Sequence, residues 1–326
     1  MKALVTGGGG FLGRAICEML RARGDSVRSL ARGEYPELAT LGVECVRGDV
    51  TDAQAVVAAC KDCDVVFHVA AKAGIWGRYE DYHRPNVVGT QNVLAACQSQ
   101  GVSRLVYTSS PSVVFDGRDM EGVDESAPYP KYYDAHYPQT KAIAEQLVLD
   151  AAGPNLRTVA LRPHLIWGPR DNHLVPRILA RARSLRRIGT ANKLVDSTYI
   201  DNAARAHVLA ADQLSANPAI SGRAYFISNG EPRPIWDLIN AILAAGNLPP
   251  VTRSVPRGLA FAAATITESL WRLLRSSSEP RLTRFLVKEL TTAHWFNLSA
   301  AKRDFGYEPV VTINEGLIRL KAWLNS

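Results

Sequence analysis

The sequence predicts an α/β fold: a Rossmann-type, doubly wound parallel sheet with a smaller, mostly helical C-terminal substrate lobe. Strand-like and helix-like segments alternate through residues 1–165. The strand-like segments are continuously apolar, which is typical of strands that helices cover on both faces. A glycine-rich turn joins the first strand to the first helix. Right-handed crossovers between such strands produce a doubly wound sheet.

The elements follow one another in a regular order. They are strand "KALVTG", helix "GRAICEMLRARG", strand "SVRSLAR", strand "VECVRGDV", helix "AQAVVAAC", strand "DVVFHVAA", helix "NVVGTQNVLAACQSQG", strand "RLVYTSS", helix "YPQTKAIAEQLVLDAAG" and strand "LRTVALRP". Further on, "STYIDNAARAHVLAA" and "GRAYFIS" predict a return to the sheet, a helix and another strand. We expect a dinucleotide-binding domain over 1–165, rejoined by about 196–228, and a substrate lobe made of 166–195 and 229–326.

The composition is that of an ordinary globular protein, with 326 residues of which 47% are hydrophobic and 21% are charged. Five cysteines are a sparse, odd set, so we expect reduced thiols in the cytoplasm. Because the sequence predicts a core strand from residue 2, we expect no signal peptide and the same location. Cys60 and Cys63 have redox or zinc spacing, but no second pair accompanies them. We interpret them as structural and expect no metal.

Two other segments have unusual compositions. "GLAFAAATITESLWRLL" (258–274) is too short for a clear membrane span and contains Glu268, so we expect a packed helix or one on a membrane surface. The formal net charge is +7. Much of it lies in "PRILARARSLRRIG", with Arg177, Arg181, Arg183, Arg186 and Arg187. A solvated helix face is the favoured interpretation of these arginines, and an anionic ligand or acidic partner is the second. Nucleic acid is not expected, because the sequence has no nucleic-acid-binding motif.

The turn "VTGGGGFLGRA" places Gly7, Gly10 and Gly13 at the spacing of a dinucleotide fingerprint. It follows a strand and opens a helix, which is the context that phosphate binding requires. Glycines let the backbone approach the pyrophosphate, and the helix N-terminus supplies free N–H groups. The sequence therefore predicts a nucleotide cofactor.

The end of the second strand indicates which cofactor. An NAD site usually has an acidic residue there, which binds the ribose hydroxyls. This sequence has Ala31 followed by Arg32, and an arginine binds a 2′-phosphate through charge-assisted hydrogen bonds. We therefore predict NADP(H). Asp49 and Val50, after the third strand, are expected to border the adenine. Ala70 and Ala71, after the fourth, leave room for the cofactor.

Hydroxyl groups gather where the fifth strand ends, in "LVYTSSPSVVF". A serine-rich turn would explain them. Downstream, however, Tyr137 and Lys141 lie four residues apart, so they share one face of a helix. A tyrosine is a poor acid at neutral pH unless a nearby ammonium lowers its pKa. Behind a dinucleotide turn, this combination predicts that one serine and the tyrosine act on a substrate oxygen.

Together, "TGGGGFLG", the serines at 109 and 110, "YPQTK", "NVVGTQNV" and "LRPHLIWGP" resemble an extended short-chain dehydrogenase/reductase over nearly the whole chain. "LRRIG…STYIDNAARAHVLAA" and "GRAYFISNGEPRPIWDLINAIL" narrow the resemblance to the 3β-hydroxysteroid and sterol-4-carboxylate dehydrogenase branch. "AAKAGIWGRYEDYHRPNVVGTQNVL" is most similar to the bacterial enzymes that reduce 2-alkyl-3-oxoalkanoates in long-chain olefin biosynthesis.

The resemblance implies roles for individual residues. Tyr137 is the expected proton donor, Lys141 tunes it and holds the nicotinamide ribose, and Ser110, with Ser109 as the alternative, hydrogen-bonds the carbonyl. The cofactor-binding set is Gly7, Gly10, Phe11, Leu12, Gly13, Arg32, Asp49, Val50, Ala70, Ala71, Tyr137, Lys141 and Pro163. Val114 and Phe115 stand where sugar-nucleotide epimerases of the superfamily tend to have a tyrosine, so a sugar-nucleotide substrate is not expected.

Steroid acids and branched fatty acids of these two branches share one chemical unit, a 2-substituted 3-hydroxy acid or its ketone. A pocket for it needs a cation beside the carbonyl site. We predict Lys72 for that role, with Trp76 and Tyr79 as apolar wall, while an exposed loop lysine is an equally good interpretation of Lys72. The favoured direction is reduction, because a biosynthetic enzyme would reduce a β-keto acid before it loses carbon dioxide.

Two alternatives remain for the function. One is a sterol or steroid 3β-dehydrogenase, and the other is a non-catalytic NADPH sensor, which would have no need of the serine, the tyrosine and the lysine together. We expect a homodimer that acts on a long-chain β-keto or β-hydroxy acid. Contact with other enzymes of the pathway, or with a membrane surface, is left open.

Overall fold

The computed structural model describes residues 1–276 and 278–326. Its strands are β1 (Lys2–Thr6), β2 (Ser26–Ala31), β3 (Glu44–Arg47), β4 (Val65–His68), β5 (Arg104–Thr108), β6 (Met120–Val123), β7 (Arg157–Pro163), β8 (Ile166–Trp167), β9 (Arg187–Ile188), β10 (Leu194–Val195), β11 (Thr198–Tyr199), β12 (Arg223–Ile227), β13 (Arg233–Pro234), β14 (Ser254–Val255) and β15 (His294–Phe296). Its α-helices are α1 (Phe11–Ala22), α2 (Pro36–Thr40), α3 (Ala53–Cys60), α4 (Tyr79–His83), α5 (Gly89–Gln100), α6 (His136–Asp150), α7 (Leu174–Arg181), α8 (Ile200–Ala216), α9 (Ile235–Ala245), α10 (Arg257–Leu273), α11 (Arg284–Glu289), α12 (Ser299–Phe305) and α13 (Ile313–Leu324).

Seven strands form one parallel sheet in the order β12-β7-β5-β4-β1-β2-β3. The chain first winds outward from β1 to β3 and then continues on the other side from β4 to β12. The order therefore reverses between β1 and β4, which is the point where doubly wound sheets bind ligands at the carboxyl ends of their strands. The predicted Rossmann-type fold is confirmed.

The continuous apolar strands arise because helices cover both faces of the sheet. In β1, Ala3 and Val5 face a core that includes Ile16 of α1, and Leu4 faces a core that includes Val56 of α3. Successive side chains of a strand point to opposite faces of the sheet. Because both faces are covered, every position of the strand needs an apolar residue. Helix α3 has the predicted bounds, and Asp52 caps it by accepting hydrogen bonds from the N–H groups of Gln54 and Ala55.

The lobe above the sheet is mostly helical, as predicted, and it also contains a four-stranded sheet in the order β13-β10-β15-β6. Strand β6 comes from the first half of the chain and pairs in parallel with β15. These strands have two to four residues, too few for a recognisable apolar pattern. The predicted return to the central sheet occurs only at β12. Strand β11 has only two residues before α8 begins, and it pairs with β8 instead of with the central sheet.

Helix α10 packs with its small residues inward. Ala260 and Ala264 are buried, whereas Leu259, Ile266 and Leu273 are 62%, 61% and 79% exposed. Among the described residues no helix has both the length and the apolar composition to cross a membrane. Of the arginine-rich segment, only the part up to Arg181 belongs to a helix, α7.

Candidate active site

The glycine-rich turn between β1 and α1 has the geometry of a phosphate cradle. Gly7 has a φ of +71°, and a Cβ built on it would lie 3.0 Å from the backbone of Ala70. A Cβ on Gly13 would lie 2.2 Å from the Gly7 carbonyl oxygen, so only glycine lets the helix approach the turn. Gly10 precedes α1 without a side-chain cap, which leaves the N–H groups of the first turn, at Phe11 and beyond, available to an anion.

The residues predicted around the adenosine lie at the expected edge of the sheet. Arg32 follows β2, is exposed and makes no ion pair with any described residue. The carboxylate of Asp49 accepts a hydrogen bond from the N–H of Thr51 at 2.9 Å, and Val50 is buried beneath it. Ala70 donates its N–H to the Thr6 hydroxyl at 3.2 Å, at the end of β1. Sequence reasoning missed Tyr35, whose ring lies against Gly9 of the cradle.

Ser110, Tyr137 and Pro163 lie together around one open cavity of about 190 Å³. They come from the ends of the neighbouring strands β5 and β7 and from the first turn of α6. Ser110 shares a hydrogen bond of 2.9 Å with the Ser112 hydroxyl, which also lines the cavity. Ser109 is buried outside the cavity, with no partner for its hydroxyl among the described residues. Of the two predicted serines, Ser110 is therefore the one that a ligand can reach.

Lys141 is buried one helical turn below Tyr137. Its ammonium donates a hydrogen bond to the Thr108 carbonyl oxygen at 2.5 Å and lies 4.0 Å from the centre of the Tyr107 ring. Burial lowers the pKa of Lys141 to about 7, against the opposing effect of Glu145. Burial also raises the pKa of Tyr137, and a hydrogen bond with Ser110 opposes that rise. Burial therefore favours the neutral form of both side chains.

Glu145 continues the same face of α6 at a further interval of four residues, and the sequence analysis missed it. It forms a buried ion pair with Arg162 at 2.6 Å and accepts a hydrogen bond from the Tyr129 hydroxyl at 2.6 Å. Arg162 precedes Pro163, so this pair ties α6 to the end of β7. The repeated spacing of Tyr137, Lys141 and Glu145 was the available signal.

The buried side chain of Asn86 joins two parts of the site. It accepts a hydrogen bond from the N–H of Lys72 at 2.7 Å, and its amide donates to the Lys72 carbonyl at 3.1 Å. The same amide lies 3.0 Å from the Thr140 hydroxyl, next to Lys141. Asn86 thereby fixes the loop after β4 against α6. Asn86 lies in a single turn of π-helix at 84–88, which periodicity does not predict.

The predicted substrate residues do not line the cavity. Lys72 is exposed, and its ammonium lies 5.8 Å from the centre of the Tyr82 ring. Trp76 donates its indole N–H to the Ser276 carbonyl at 3.0 Å, and Tyr79 stacks on His83 at 5.2 Å between ring centres. The same loop reaches the cavity through Gly74 and Ile75 instead.

Four titratable residues of the cavity were not among the predicted site residues. They are His164, Arg177, Glu289 and His294. The two imidazole rings meet edge to face at 5.6 Å between centres, and each has a buried ring nitrogen without a partner among the described residues. Burial lowers the pKa of His294 to about 4 and holds the pKa of His164 well below its usual value, which favours the neutral form of both rings. Burial raises the pKa of Glu289 to about 7.

The remaining wall of the cavity is apolar and consists of Ile75, Pro111, Phe115, Met120, Pro163, Leu165, Phe285 and Phe296. Among the described residues no group of three or more histidine, cysteine or acidic side chains is arranged to hold a metal. Cys60 and Cys63 are buried free thiols. The cavity thus combines a hydroxyl pair with an apolar wall and few charges, which suits a small ketone or alcohol.

The reversed strand order, the cradle and the serine–tyrosine–lysine arrangement define an extended short-chain dehydrogenase/reductase, an oxidoreductase that works with a nicotinamide cofactor. A family model described as "3-beta hydroxysteroid dehydrogenase/isomerase family" matches residues 4–255, and the chain belongs to that family. The predicted family and enzyme class are confirmed.

The curated relatives agree with the predicted branch. The 2-alkyl-3-oxoalkanoate reductase of Shewanella oneidensis is 53% identical over 99% of this chain and 86% of the relative. The enzyme of the same name from Stenotrophomonas maltophilia is also 53% identical, over 99% of both chains. The decarboxylating sterol-4-alpha-carboxylate 3-dehydrogenase of Mus musculus is 35% identical over 98% of this chain and 89% of the relative.

Solved structures support the same architecture. The structure of MoeE5 in complex with UDP-glucose and NAD has a TM-score of 0.76 and 25% identity, over 100% of this chain and 99% of that chain. That protein binds NAD at a fold like this one, so the site fits a nicotinamide dinucleotide in general. The choice between NAD and NADP depends on this chain's own residues.

Proposed function

We propose that this protein reduces a 2-alkyl-3-oxoalkanoic acid to the 2-alkyl-3-hydroxyalkanoic acid with NADPH. The observation that supports this best is the shared cavity of Ser110 and Tyr137, which has an apolar wall and a single guanidinium. A ketone beside a carboxylate and alkyl groups requires these three features. The names of the two relatives at 53% identity support the same substrate class.

The cradle, with Gly7, Gly10, Phe11, Leu12 and Gly13, would hold the pyrophosphate. Asp49 and Val50 would border the adenine, Ala70 and Ala71 would let the cofactor lie close to the sheet, and Pro163 would contact the nicotinamide. Bound there, NADPH would supply the hydride. These assignments rest on the tight packing of the turn and on the uncapped start of α1.

Side chains of the protein would transfer the proton. Tyr137 donates its hydroxyl proton to the 3-oxo oxygen, and Ser110 donates a hydrogen bond to the same oxygen. Lys141, one turn further along α6, stabilises the phenolate that the transfer leaves and holds the nicotinamide ribose. Because burial raises the pKa of Tyr137, that phenolate needs the nearby ammonium.

Arg32 supports NADPH over NADH. Its exposed guanidinium has no ionic partner among the described residues, and it lies next to Ala31, which stands where an acidic residue would bind the ribose of NAD. A free guanidinium at this position favours a 2′-phosphate through bidentate, charge-assisted hydrogen bonds.

The same family includes sterol dehydrogenases, so a 3β-hydroxysteroid or sterol-4-carboxylate 3-dehydrogenase is the second candidate, supported by the relative at 35% identity. The cavity of about 190 Å³ is smaller than the roughly 300–1,000 Å³ of typical ligand pockets. It would hold a reacting head group while flexible alkyl chains extend through its mouth.

The test compares two substrates under identical conditions. NADPH oxidation is followed with a long-chain 2-alkyl-3-oxo acid and with a steroid 3-ketone, each at several concentrations. The proposal expects a kcat/KM for the keto acid at least 10-fold above that for the steroid. A preference for the steroid would establish the second candidate instead.

We further propose a cytoplasmic homodimer that serves long-chain olefin biosynthesis. The exposed leucine and isoleucine side chains of α10 are the surface that would meet long alkyl chains, a membrane surface or another enzyme of the pathway. Size-exclusion chromatography with light scattering tests the dimer, and a monomeric mass at micromolar concentration would exclude it.

A further inference from the structure

The chemistry of a 3-oxo acid restricts where its carboxylate can bind. The carboxyl carbon is only two bonds from the carbonyl carbon, so a cation that holds the carboxylate must line the same small cavity as Ser110 and Tyr137. Among the described lining residues, Arg177 is the one permanent cation, because burial favours the neutral form of both histidines. Lys72 lies outside that lining.

Arg177 already has a carboxylate bound to it. Its guanidinium pairs with the side chain of Glu279, from the segment between α10 and α11. The Glu279 carboxylate reaches the cavity mouth, since a Cβ built on Gly74 would lie 3.9 Å from its oxygen. The two side chains are 46% and 25% exposed, so the pair lies at the rim of the cavity, where a ligand can reach the guanidinium.

We infer that Arg177 binds the carboxylate of the substrate and that Glu279 occupies this position until the substrate displaces it. The inference rests on the proposed keto-acid substrate and identifies the residue that selects it. An uncharged ketone cannot replace Glu279 on the guanidinium, whereas a carboxylate can do so without leaving the cation unpaired. The pair therefore discriminates against neutral ligands of the same shape.

The test uses Arg177→Met, which removes the charge and keeps much of the side-chain length, with Arg181→Met as the matched control. Arg181 lies one turn further along α7, and its guanidinium donates a hydrogen bond to the Arg281 carbonyl, away from the residues that line the cavity. Both are assayed with a 2-alkyl-3-oxo acid and with its methyl ester. Arg177→Met should lower kcat/KM for the acid by about 10- to 150-fold, as expected for hydrogen bonds to a charged group, and change the ester by less than about 3-fold. Arg181→Met should change neither.

Glu279→Gln tests the displacement independently and does not require Arg177 to be altered. Removing the competing charge should lower the KM for the acid several-fold and leave the KM for the ester unchanged. Equal losses for acid and ester in Arg177→Met, or an unchanged or raised KM for the acid in Glu279→Gln, would overturn the inference.

The outcomes also separate this inference from the proposed function. If the unaltered enzyme reduces the acid and Arg177→Met has no effect, the proposed function stands and the role inferred for Arg177 is rejected. If the unaltered enzyme reduces neither compound, the proposed function fails, and calorimetric binding of the 2-alkyl-3-hydroxy acid in the presence of NADP decides the inference. Equal affinity of the unaltered protein and Arg177→Met would then reject it.

Discussion

The ammonium of Lys141 donates a hydrogen bond to the carbonyl oxygen of Thr108, 2.5 Å away, at the end of the strand that leads into Ser110. Helix α6 is thereby attached to the end of β5. The contact holds the ammonium in position, while burial lowers its pKa.

The first prediction concerns stability and pH. The pKa of Lys141 falls from 10.5 to about 7 on folding, so below pH 7 the folded protein bears the full cost of a buried ammonium. Between pH 7 and 10.5 the unfolded chain holds the extra proton, and the cost diminishes as pH rises. Lys141→Met should therefore stabilise the protein more at pH 6 than at pH 10. Urea unfolding at both pH values measures the difference in free energy of unfolding between the variant and the unaltered protein. A stabilisation that does not depend on pH would contradict the prediction of a buried ammonium.

The second prediction concerns the buried ion pair beneath the site. Glu145 and Arg162 are 0% and 3% exposed, so Glu145→Gln leaves a buried guanidinium without its counter-charge. We expect a loss of about 3–5 kcal/mol in the free energy of unfolding. Glu315→Gln, in an exposed pair with Arg319, is the control and should cost less than about 1 kcal/mol. Similar losses in both variants would mean that the buried pair contributes no more than a surface pair.

The third prediction concerns the cofactor. One or two charge-assisted hydrogen bonds from Arg32 to the 2′-phosphate, at roughly 1.5 kcal/mol each, give about a 10- to 100-fold preference for NADPH over NADH. Arg32→Ala should remove most of this preference, mainly through the KM for NADPH. Arg47→Ala, at an exposed arginine that ends β3 and pairs with Glu34, is the control. Equal use of both cofactors by the unaltered enzyme would contradict the assignment.

The fourth prediction concerns the exposed face of α10. If Ile266 and Leu270 guide long alkyl chains, replacing both with serine should raise the KM for long-chain substrates by at least about 5-fold and leave short-chain substrates unchanged, because each lost apolar contact is worth about 1 kcal/mol. Ile318→Ser on α13, 70% exposed, is the matched control. An unchanged dependence on chain length would leave α10 as scaffold.

The sequence predicted the sheet well, because buried parallel strands require continuous apolar runs such as "ALV" and "VVF". It also predicted which residues reach one cavity from β5, β7 and α6, since the ends of parallel strands meet at one edge. It did not indicate Glu289 or His294, which reach the cavity from separate segments of the lobe, and it named Arg177 only within an arginine-rich segment for which an anionic ligand was the second interpretation. Lys72 was predicted from its position after β4, but hydrogen bonds with Asn86 hold its main chain while its side chain is exposed.

The most direct test of the central claim is NADPH oxidation with a freshly prepared 2-alkyl-3-oxo acid by the unaltered enzyme and by Tyr137→Phe, with mass spectrometry of the product. Tyr133→Phe, which loses only a hydrogen bond to the Val113 carbonyl, is the control. We predict a 3-hydroxy acid that retains its carboxyl group, turnover in Tyr137→Phe lower by about 10²-fold or more, and unchanged NADPH binding. Near-normal turnover in Tyr137→Phe, or a decarboxylated product from the unaltered enzyme, would contradict it.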